Sequence, residues 1–344
     1  MRDGGKHMKD SQISYIHKNK LFFWGLLIFI TVLIAILSLG TGAVKLTPAE
    51  VFQALFAREE NTTATRIVLY TRLPRTCAAL LAGAALAVAG AIIQTVLNNP
   101  LASPGIIGVN SSAGLAVALV CAIMPSAQKF TPLVAFAGAL IGVLFVMVLS
   151  QKTGASRMTV VLAGVAISNL FSAGIDAVVT LVPEALAGVT DFRIGGFTGV
   201  TMQQLGPAAL IILISLVVTF SLSQHLDILS LGADTAASLG LAVNPVRVLL
   251  LVLAAALAGA AVSFSGLLSF VGLIVPHTMR RLKGETSFSL LVSSAFGGAF
   301  FVCACDLLAR ILFQPFEIPV GIVLAFAGTP FFLWILFRQK GGHV

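Results

Sequence analysis

Long apolar stretches broken by short polar connections most restrict what this chain can fold into. The clearest are Leu21 to Leu39, Cys77 to Leu97, Leu133 to Leu149, Val160 to Leu181, Ala208 to Leu222, Leu249 to Leu268, Ser289 to Leu308 and Ile318 to Phe337. A helix needs roughly 20 apolar residues to cross hydrocarbon, and its backbone must bond within itself there. Two weaker stretches complete the set. Ile106 to Ile123 carries Asn110, Ser111 and Ser112, and Leu273 to Leu282 contains Pro276, His277 and Arg280. With both counted, the expected fold is an all-α membrane protein of ten transmembrane helices. Continuous runs, rather than alternating segments of about ten residues, argue against a β-barrel. Composition agrees: 58% of the 344 residues are hydrophobic and only 10% are charged, which no water-soluble core of this size requires.

Ten crossings put both termini on one side, and basic residues select the side. Most of the 21 Lys and Arg residues lie in the two tails and in the loops on that same side, so both termini are expected in the cytoplasm. The first span follows a polar tail and ends without a small-residue cleavage site, which reads as a retained helix. The formal charge of +8 is dispersed over tails and loop ends. Anionic lipid accounts for it better than nucleic acid does, because no aromatic-interleaved basic patch accompanies it. Cys77, Cys121, Cys303 and Cys305 sit in or beside apolar windows, where they read as packing.

A segment returns within the chain. GAALAVAG at Gly83 to Gly90 recurs as GAAVSFSG at Gly259 to Gly266, and Pro100/Pro276 and Gly108/Gly284 match at the same offset. Five crossings separate the copies, so they run in opposite directions, as in an inverted internal repeat of a transporter. The chain reads as one permease domain over 1–344, with a first repeat at 69–200, a cytoplasmic coupling segment at 226–245 and a second repeat at 245–340. Gly83, Gly90, Gly259 and Gly266 suit close helix packing, and equally a path or gate between closely apposed backbones.

Three further features carry chemistry or contact. Between Gly232 and Gly240 the residues ADTAASL, from Ala233 to Leu239, are expected to form a short helix, either a connector or a docking element for a cytoplasmic partner. His277 has three available roles: bonding a carbonyl freed by Pro276, touching a partner, or gating. Asp306 and Arg310 stand at i,i+4 spacing and suit an internal ion pair, whereas Asp176 lacks a basic partner in its segment and belongs at a rim or in a wet cavity. Glu317 belongs to the turn before the last helix. No catalytic, cofactor or metal site is expected, and no GxxxxGK[ST] loop is present to cradle phosphates.

RLPRTCAALLAGAALAVAGAIIQ at Arg72 to Gln94, NPLASPGIIGV at Asn99 to Val109, VLAGVAIS at Val161 to Ser168, LSLGADTAASLG at Leu229 to Gly240, GLLSFVGLIVPHTMR at Gly266 to Arg280, and DLLAR with EIPVGIVLAFAGTPFF at Asp306 to Phe332 resemble the FecCD-type, BtuC-like permeases of bacterial ABC importers for iron-siderophore complexes, haem and vitamin B12. The resemblance implies a ten-helix subunit of the bacterial cytoplasmic (inner) membrane that pairs with itself or a close relative. It also implies two cytoplasmic ABC ATPase subunits that carry ATP and Mg, and a periplasmic or lipid-anchored substrate-binding protein that delivers a metal-chelate substrate. This chain itself would be no enzyme.

Carried residue by residue, the resemblance gives Arg72, Arg75 and Arg310 as exposed guanidinium groups that receive carboxylates of the binding protein. Lipid headgroup anchoring is their alternative. It gives Gly232, Ala233, Ala236, Leu239 and Gly240 as the ATPase contact, and Pro276 and His277 as a gate or cytoplasmic contact on a very short helix. Phe192 departs from the family pattern, standing where tryptophan is frequent. The substrate expected is an iron(III)-siderophore complex, then haem or cobalamin. An ion-coupled secondary transporter is the competing class.

Overall fold

The computed structural model describes residues 4–42, 44–56, 62–124, 130–152, 157–283, 286–314 and 316–340. Among these residues all regular structure is helical. In chain order the helices are α1 (Gly4–Gly40), α2 (Pro48–Phe56), α3 (Thr63–Ile67), α4 (Leu73–Leu97), α5 (Val109–Ile123), α6 (Thr131–Lys152), α7 (Arg157–Leu181), α8 (Leu186–Ile194) and α9 (Met202–Ser221). Then come α10 (Ser223–Ser230), α11 (Ala233–Ser238), α12 (Val243–Ser265), α13 (Val271–Lys283), α14 (Ser287–Ile311) and α15 (Val320–Lys340).

Among the described residues seven helical segments are long and apolar enough to cross a membrane: Phe22–Gly40, Thr63–Leu97, Thr131–Leu149, Met158–Leu181, Met202–Ser221, Val243–Ser265 and Ser287–Ile311. Of the ten crossings expected, these seven have full spanning length. Helix α5 has 15 residues and α13 has 13, which at 1.5 Å per residue reach about 22 and 20 Å, short of a hydrocarbon core about 30 Å thick. The apolar part of α15 is Val320–Leu333. What shortens α5 is a break in the chain before it: Asn98 in the left-handed region ends α4, Pro104–Ile107 makes a 3-10 turn, and Gly108, at φ 84°, precedes the helix. A second break, Gly266 to Phe270, separates α12 from α13.

Helices α4, α12 and α14 form the centre; the other long helices wrap them. The apolar window of the segment containing α4 is 78% buried, that of α12 72% and that of α14 61%, against 28% for α7 and 17% for α1. Helix–helix neighbours are symmetric on exchanging the two halves: α4 packs on α14 as α12 packs on α6, α5 on α6 as α13 on α14, and α4 on α13 as α12 on α5. The recurring glycines sit at these crossings. A Cβ on Gly83 would lie 2.1 Å from the carbonyl oxygen of Gly298 on α14, and one on its counterpart Gly259 would lie 2.9 Å from Ala139 Cβ on α6. With little hydrophobic drive between helices in lipid, such backbone approach is what holds a bundle together. Gly266 departs from this reading. At φ 64° it ends α12, and a Cβ there would meet the Phe192 carbonyl oxygen at 2.5 Å.

Candidate functional site

The two ends of the bundle can be told apart by contacts along α1. Trp24 Nε1 donates to Ser293 Oγ (3.2 Å), Thr31 Oγ1 reaches the Phe296 carbonyl (3.3 Å), and Arg310 Nη1 reaches the Ser38 carbonyl (3.0 Å), so α1 and α14 run in the same direction. Helix α4 runs against them, with Arg75 beside Asp306 and Gly83 beside Gly298.

At the end where α1 finishes lies a buried ionic cluster. Arg75 Nε donates to both Asp306 oxygens (3.0 and 3.2 Å), and its Nη1 meets Glu317 Oε2 at 2.5 Å. Arg310 Nη2 lies 3.1 Å from Asp306 Oδ2, the i,i+4 pair read from the sequence. The arginines also close the end of α1. Its last four carbonyls, Leu37 to Gly40, accept from Thr41 N–H, Arg310, Arg72 and Arg72 in turn. Those are the acceptors that a helix end leaves open, and the negative end of its dipole favours cations. The expectation of three exposed guanidinium groups is corrected: Arg72, Arg75 and Arg310 are 4%, 6% and 2% exposed, because α1 and Asp306 consume their donors. A π-helical turn, Val68–Arg72, joins α3 to α4 on this approach, and the exposed side chains there are Arg66, Tyr70 and Thr71.

At the opposite end α11 forms between the two glycines, Gly232 at φ 108° and Gly240 at φ 86°, as the sequence indicates. Its faces differ from the expected contact set. Ala236 is fully buried against its own subunit, whereas Asp234, Thr235, Ala237 and Leu239 are exposed, Leu239 by 61%. The preceding α10 buries Leu226 and Leu229, and Asp227 Oδ1 accepts from the Ser287 N–H at 2.7 Å, capping the start of α14. The short helix α11 is thereby tied through α10 to a central helix.

Between the ends, α13 carries Pro276 inside its helix, which removes the bond to the Gly272 carbonyl. His277 does not repair the loss. Gln94 Nε2 of α4 donates to the carbonyls of Gly272 and Leu273, both at 3.3 Å, and Gly90 one turn earlier lets Gly272 approach to where no Cβ would fit. His277 is 8% exposed, and its Nε2 lacks a hydrogen-bond partner among the described residues. The break preceding α13 meets the break preceding α5 at a polar cavity of about 220 Å³, lined by Ser103, Gly105, Asn110, Ser269 and Phe270. Phe270 holds φ 66°, a strained value for a bulky side chain, and a Cβ on Gly328 of α15 would strike its ring.

A feature missed by the sequence reading lies on α7. Asn169, Ser172, Asp176 and Thr180 are all exposed, and their spacing of three and four residues puts them on one face. Asp176 alone was conspicuous in the sequence; its membership of a stripe emerges once the buried face of α7 is known. A polar stripe on a span must face protein or water. Among the described residues no group of three or more His, Cys, Asp or Glu side chains is placed to hold a metal ion.

Comparison with known proteins bears on the whole chain. The profile of the FecCD transport family matches residues 30–338. The Fe(3+)-citrate import system permease protein YfmE of Bacillus subtilis (strain 168) is 35% identical over 312 residues, covering 90% of this chain and 93% of that protein. The Fe(3+) dicitrate transport system permease protein FecD of Escherichia coli (strain K12) is 38% identical, covering 80% and 86%. The hemin transport system permease protein HmuU of Yersinia pestis is 36% identical, covering 91% and 95%. Among solved structures, a metal-chelate-type ABC transporter in an inward-facing conformation matches with TM-score 0.81 and 29% identity, over 92% of this chain and 99% of that one.

Proposed function

The chain belongs to the FecCD transport family and is a non-catalytic membrane permease subunit of an ABC importer, and from that premise we propose that its cargo is an iron(III)-siderophore complex. The observation that carries the proposal is the match, over 80–90% of this chain, to permeases named for ferric citrate import. Haem is the second reading, favoured by the equally extensive match to a hemin permease. A chelate shields its metal, so a path for it needs no ligand cluster of its own.

The subunit pairs with a second copy or a close relative, sits on two cytoplasmic ATPases that bind ATP and Mg, and receives its cargo from a substrate-binding protein. The arginine end faces outward, and both termini lie in the cytoplasm. Helices α5, α13 and α15 join the seven long spans as shorter crossings shielded by protein, making ten. The two halves, 69–200 and 245–340, are inverted repeats; their symmetric neighbours support this reading.

Arg72, Arg75 and Arg310 shape the docking surface by fixing the end of α1 and the turn at Glu317, while Arg66 presents charge to the binding protein. The segment 226–245 couples to the ATPase through the exposed side of α11, with Ala233, Leu239 and the flanking Gly232 and Gly240 at the contact and Ala236 as its inner support. The polar stripe of α7 walls the path between paired subunits. The meeting of the two chain breaks, with Pro276 and His277 behind it, is the gate region.

Uptake into proteoliposomes holding the permease with its ATPase tests the cargo, with the binding protein outside and labelled ferric siderophore, haem or cobalamin supplied in turn. ATP-dependent accumulation of ferric siderophore is expected. Accumulation of haem or cobalamin instead reassigns the cargo, and uptake driven by an ion gradient without ATP overturns the importer mechanism.

A further inference from the structure

We propose that Asp176 on α7 makes the arginine-end half of the translocation path prefer cations, so that ferric chelates carrying positive charge or none pass more readily than anionic ones. The inference rests on the reading that α7 walls that path, and it narrows the proposed iron(III)-siderophore cargo to a charge class. The exposed face of α7 changes character along its length. It starts apolar, with Met158, Leu162 and Val165. From Asn169 onward it presents Asn169, Ser172, Asp176 and Thr180, with Ala173 and Ala177 between them and Leu170 at its flank. Helices α1 and α9 show the contrast, exposing Phe29 and Ile36, and Leu213 and Val217, as helices that face hydrocarbon do. The polar half of α7 lies at the arginine end. There α8 follows it and leads to Gly195, whose carbonyl accepts from the Gly321 N–H at 3.2 Å, and nearby Ile318 bonds to the Ala309 carbonyl in the last turn of α14. Asn169 lies twelve residues from the end of α7, about 18 Å at 1.5 Å per residue, so the polar face reaches the middle of the helix. A carboxylate at a rim can turn to the headgroups, but an amide at mid-helix needs protein or water beside it.

The Asp176 carboxylate is available to a passing guest. Thr180 Oγ1 reaches only the Asp176 backbone carbonyl, at 2.7 Å, and the Asp176 side chain makes no hydrogen bond or ion pair among the described residues. The charged groups on the segment that follows are Glu184, Asp191 and Arg193, all exposed, so three carboxylates stand against one guanidinium at this end of α7 and α8. A cleft lined by one sign of charge concentrates ions of the other sign, and carboxylates around a pore favour cations. In a pair of subunits each copy of α7 adds its own Asp176. A chelate wraps its metal in its own donor atoms, so net charge is what this wall can read.

The test introduces a thiol one turn from Asp176, as Ser172→Cys, in the full chain assembled with its partners in nanodiscs. Its rates of modification by two methanethiosulfonates of similar size are compared, the cationic trimethylammonium-ethyl and the anionic sulfonatoethyl reagent, with the chain lacking the substitution as background. Relative to their rates on a free thiol, the cationic reagent is expected to react faster. Asp176→Asn should narrow that preference by about fivefold, the scale of one hydrated charge pair, and Asp176→Lys should reverse it. Both variants replace an exposed side chain and should leave the thermal transition in place. In proteoliposomes with the ATPase and binding protein, Asp176→Lys should slow uptake of a cationic chelate such as ferrioxamine B and quicken that of an anionic one such as ferric citrate. The same reagent preference with and without Asp176, or chelate uptake indifferent to the sign at this position, would overturn the proposal while leaving α7 on the path. If a lipid-soluble maleimide reaches the new thiol and neither charged reagent does, α7 does not border the path, and that reading falls together with the inference.

Discussion

Asp306 shows what one residue can hold at the arginine end of the bundle. It is fully buried, and two arginines from different helices converge on it while spending their remaining donors on Glu317 and the last turn of α1. Removing one member of such a cluster leaves an uncompensated buried charge, a loss of about 3–5 kcal/mol. Asp306→Ala should therefore lower the temperature at which the purified permease loses its fold. Asp306→Leu with Arg310→Met should recover much of the loss, because Arg75 keeps Glu317. Equal destabilisation by both variants would refute this account. The sequence disclosed only the local part of the cluster. Asp306 and Arg310 are one helical turn apart, whereas Arg75 and Asp306 are 231 positions apart, and no spacing rule reaches that far. Gln94 was hidden for the same reason: its partners are carbonyls of a kinked helix remote in sequence. A milder residue-level expectation concerns pH. Thr47 and Glu50 cap α2 reciprocally, and the Thr47 backbone N–H, then its hydroxyl, hold the Glu50 carboxyl below its ordinary range. The lowered folded value means that the cap contributes fully above the unfolded carboxylate pKa of about 4.3 and is lost as pH falls through the folded value. Amide exchange in α2 should quicken on acidification in that window, and Glu50→Gln should remove the dependence.

Among whole elements, the long spans and the short helix between two glycines were legible because apolar length and turn residues are local properties. Which way α11 faces was not, since six residues with small side chains on several sides carry no strong period. The structure separates the fully buried Ala236 from the exposed Leu239. Two substitutions should then fail differently. Ala236→Asp puts an unpaired charge under α11 and should destabilise the isolated permease. Leu239→Arg should leave its thermal transition unchanged while weakening copurification with the ATPase. If Leu239→Arg unfolds the permease, or Ala236→Asp spares it, the assignment of faces is wrong. The two short helices α5 and α13 fall in the weaker stretches Ile106 to Ile123 and Leu273 to Leu282, but their surroundings were not legible. Length tells whether a helix can span, but only packing tells whether a chain break such as Gly266 to Phe270 is lined by protein.

Across the whole molecule, a chain of direct contacts joins the α11 end to the arginine end. Asp227 on α10 fixes the start of α14; α14 crosses the bundle against α4, backbone to backbone at Gly83 and Gly298; and it ends in the arginine cluster that closes α1. Close-packed helices shift as units, so a displacement of α11 that reaches α14 is felt at the arginine cluster without any long-range field. The Asp227 contact is the narrowest link in this path, a charge-assisted bond to one amide. Replacing Asp227→Ala removes that cap and should cost about 1 kcal/mol of stability, small against the buried surface of α10 and α14. The larger effect should be functional: in proteoliposomes with the ATPase, ATP turnover persists while cargo moved per ATP falls. Asp227→Asn, which keeps an acceptor at the same place, should restore most of the ratio. Two results would reject the tie: unchanged transport per ATP in Asp227→Ala, or a parallel loss of turnover and transport that tracks lost protein, as simple misfolding would give.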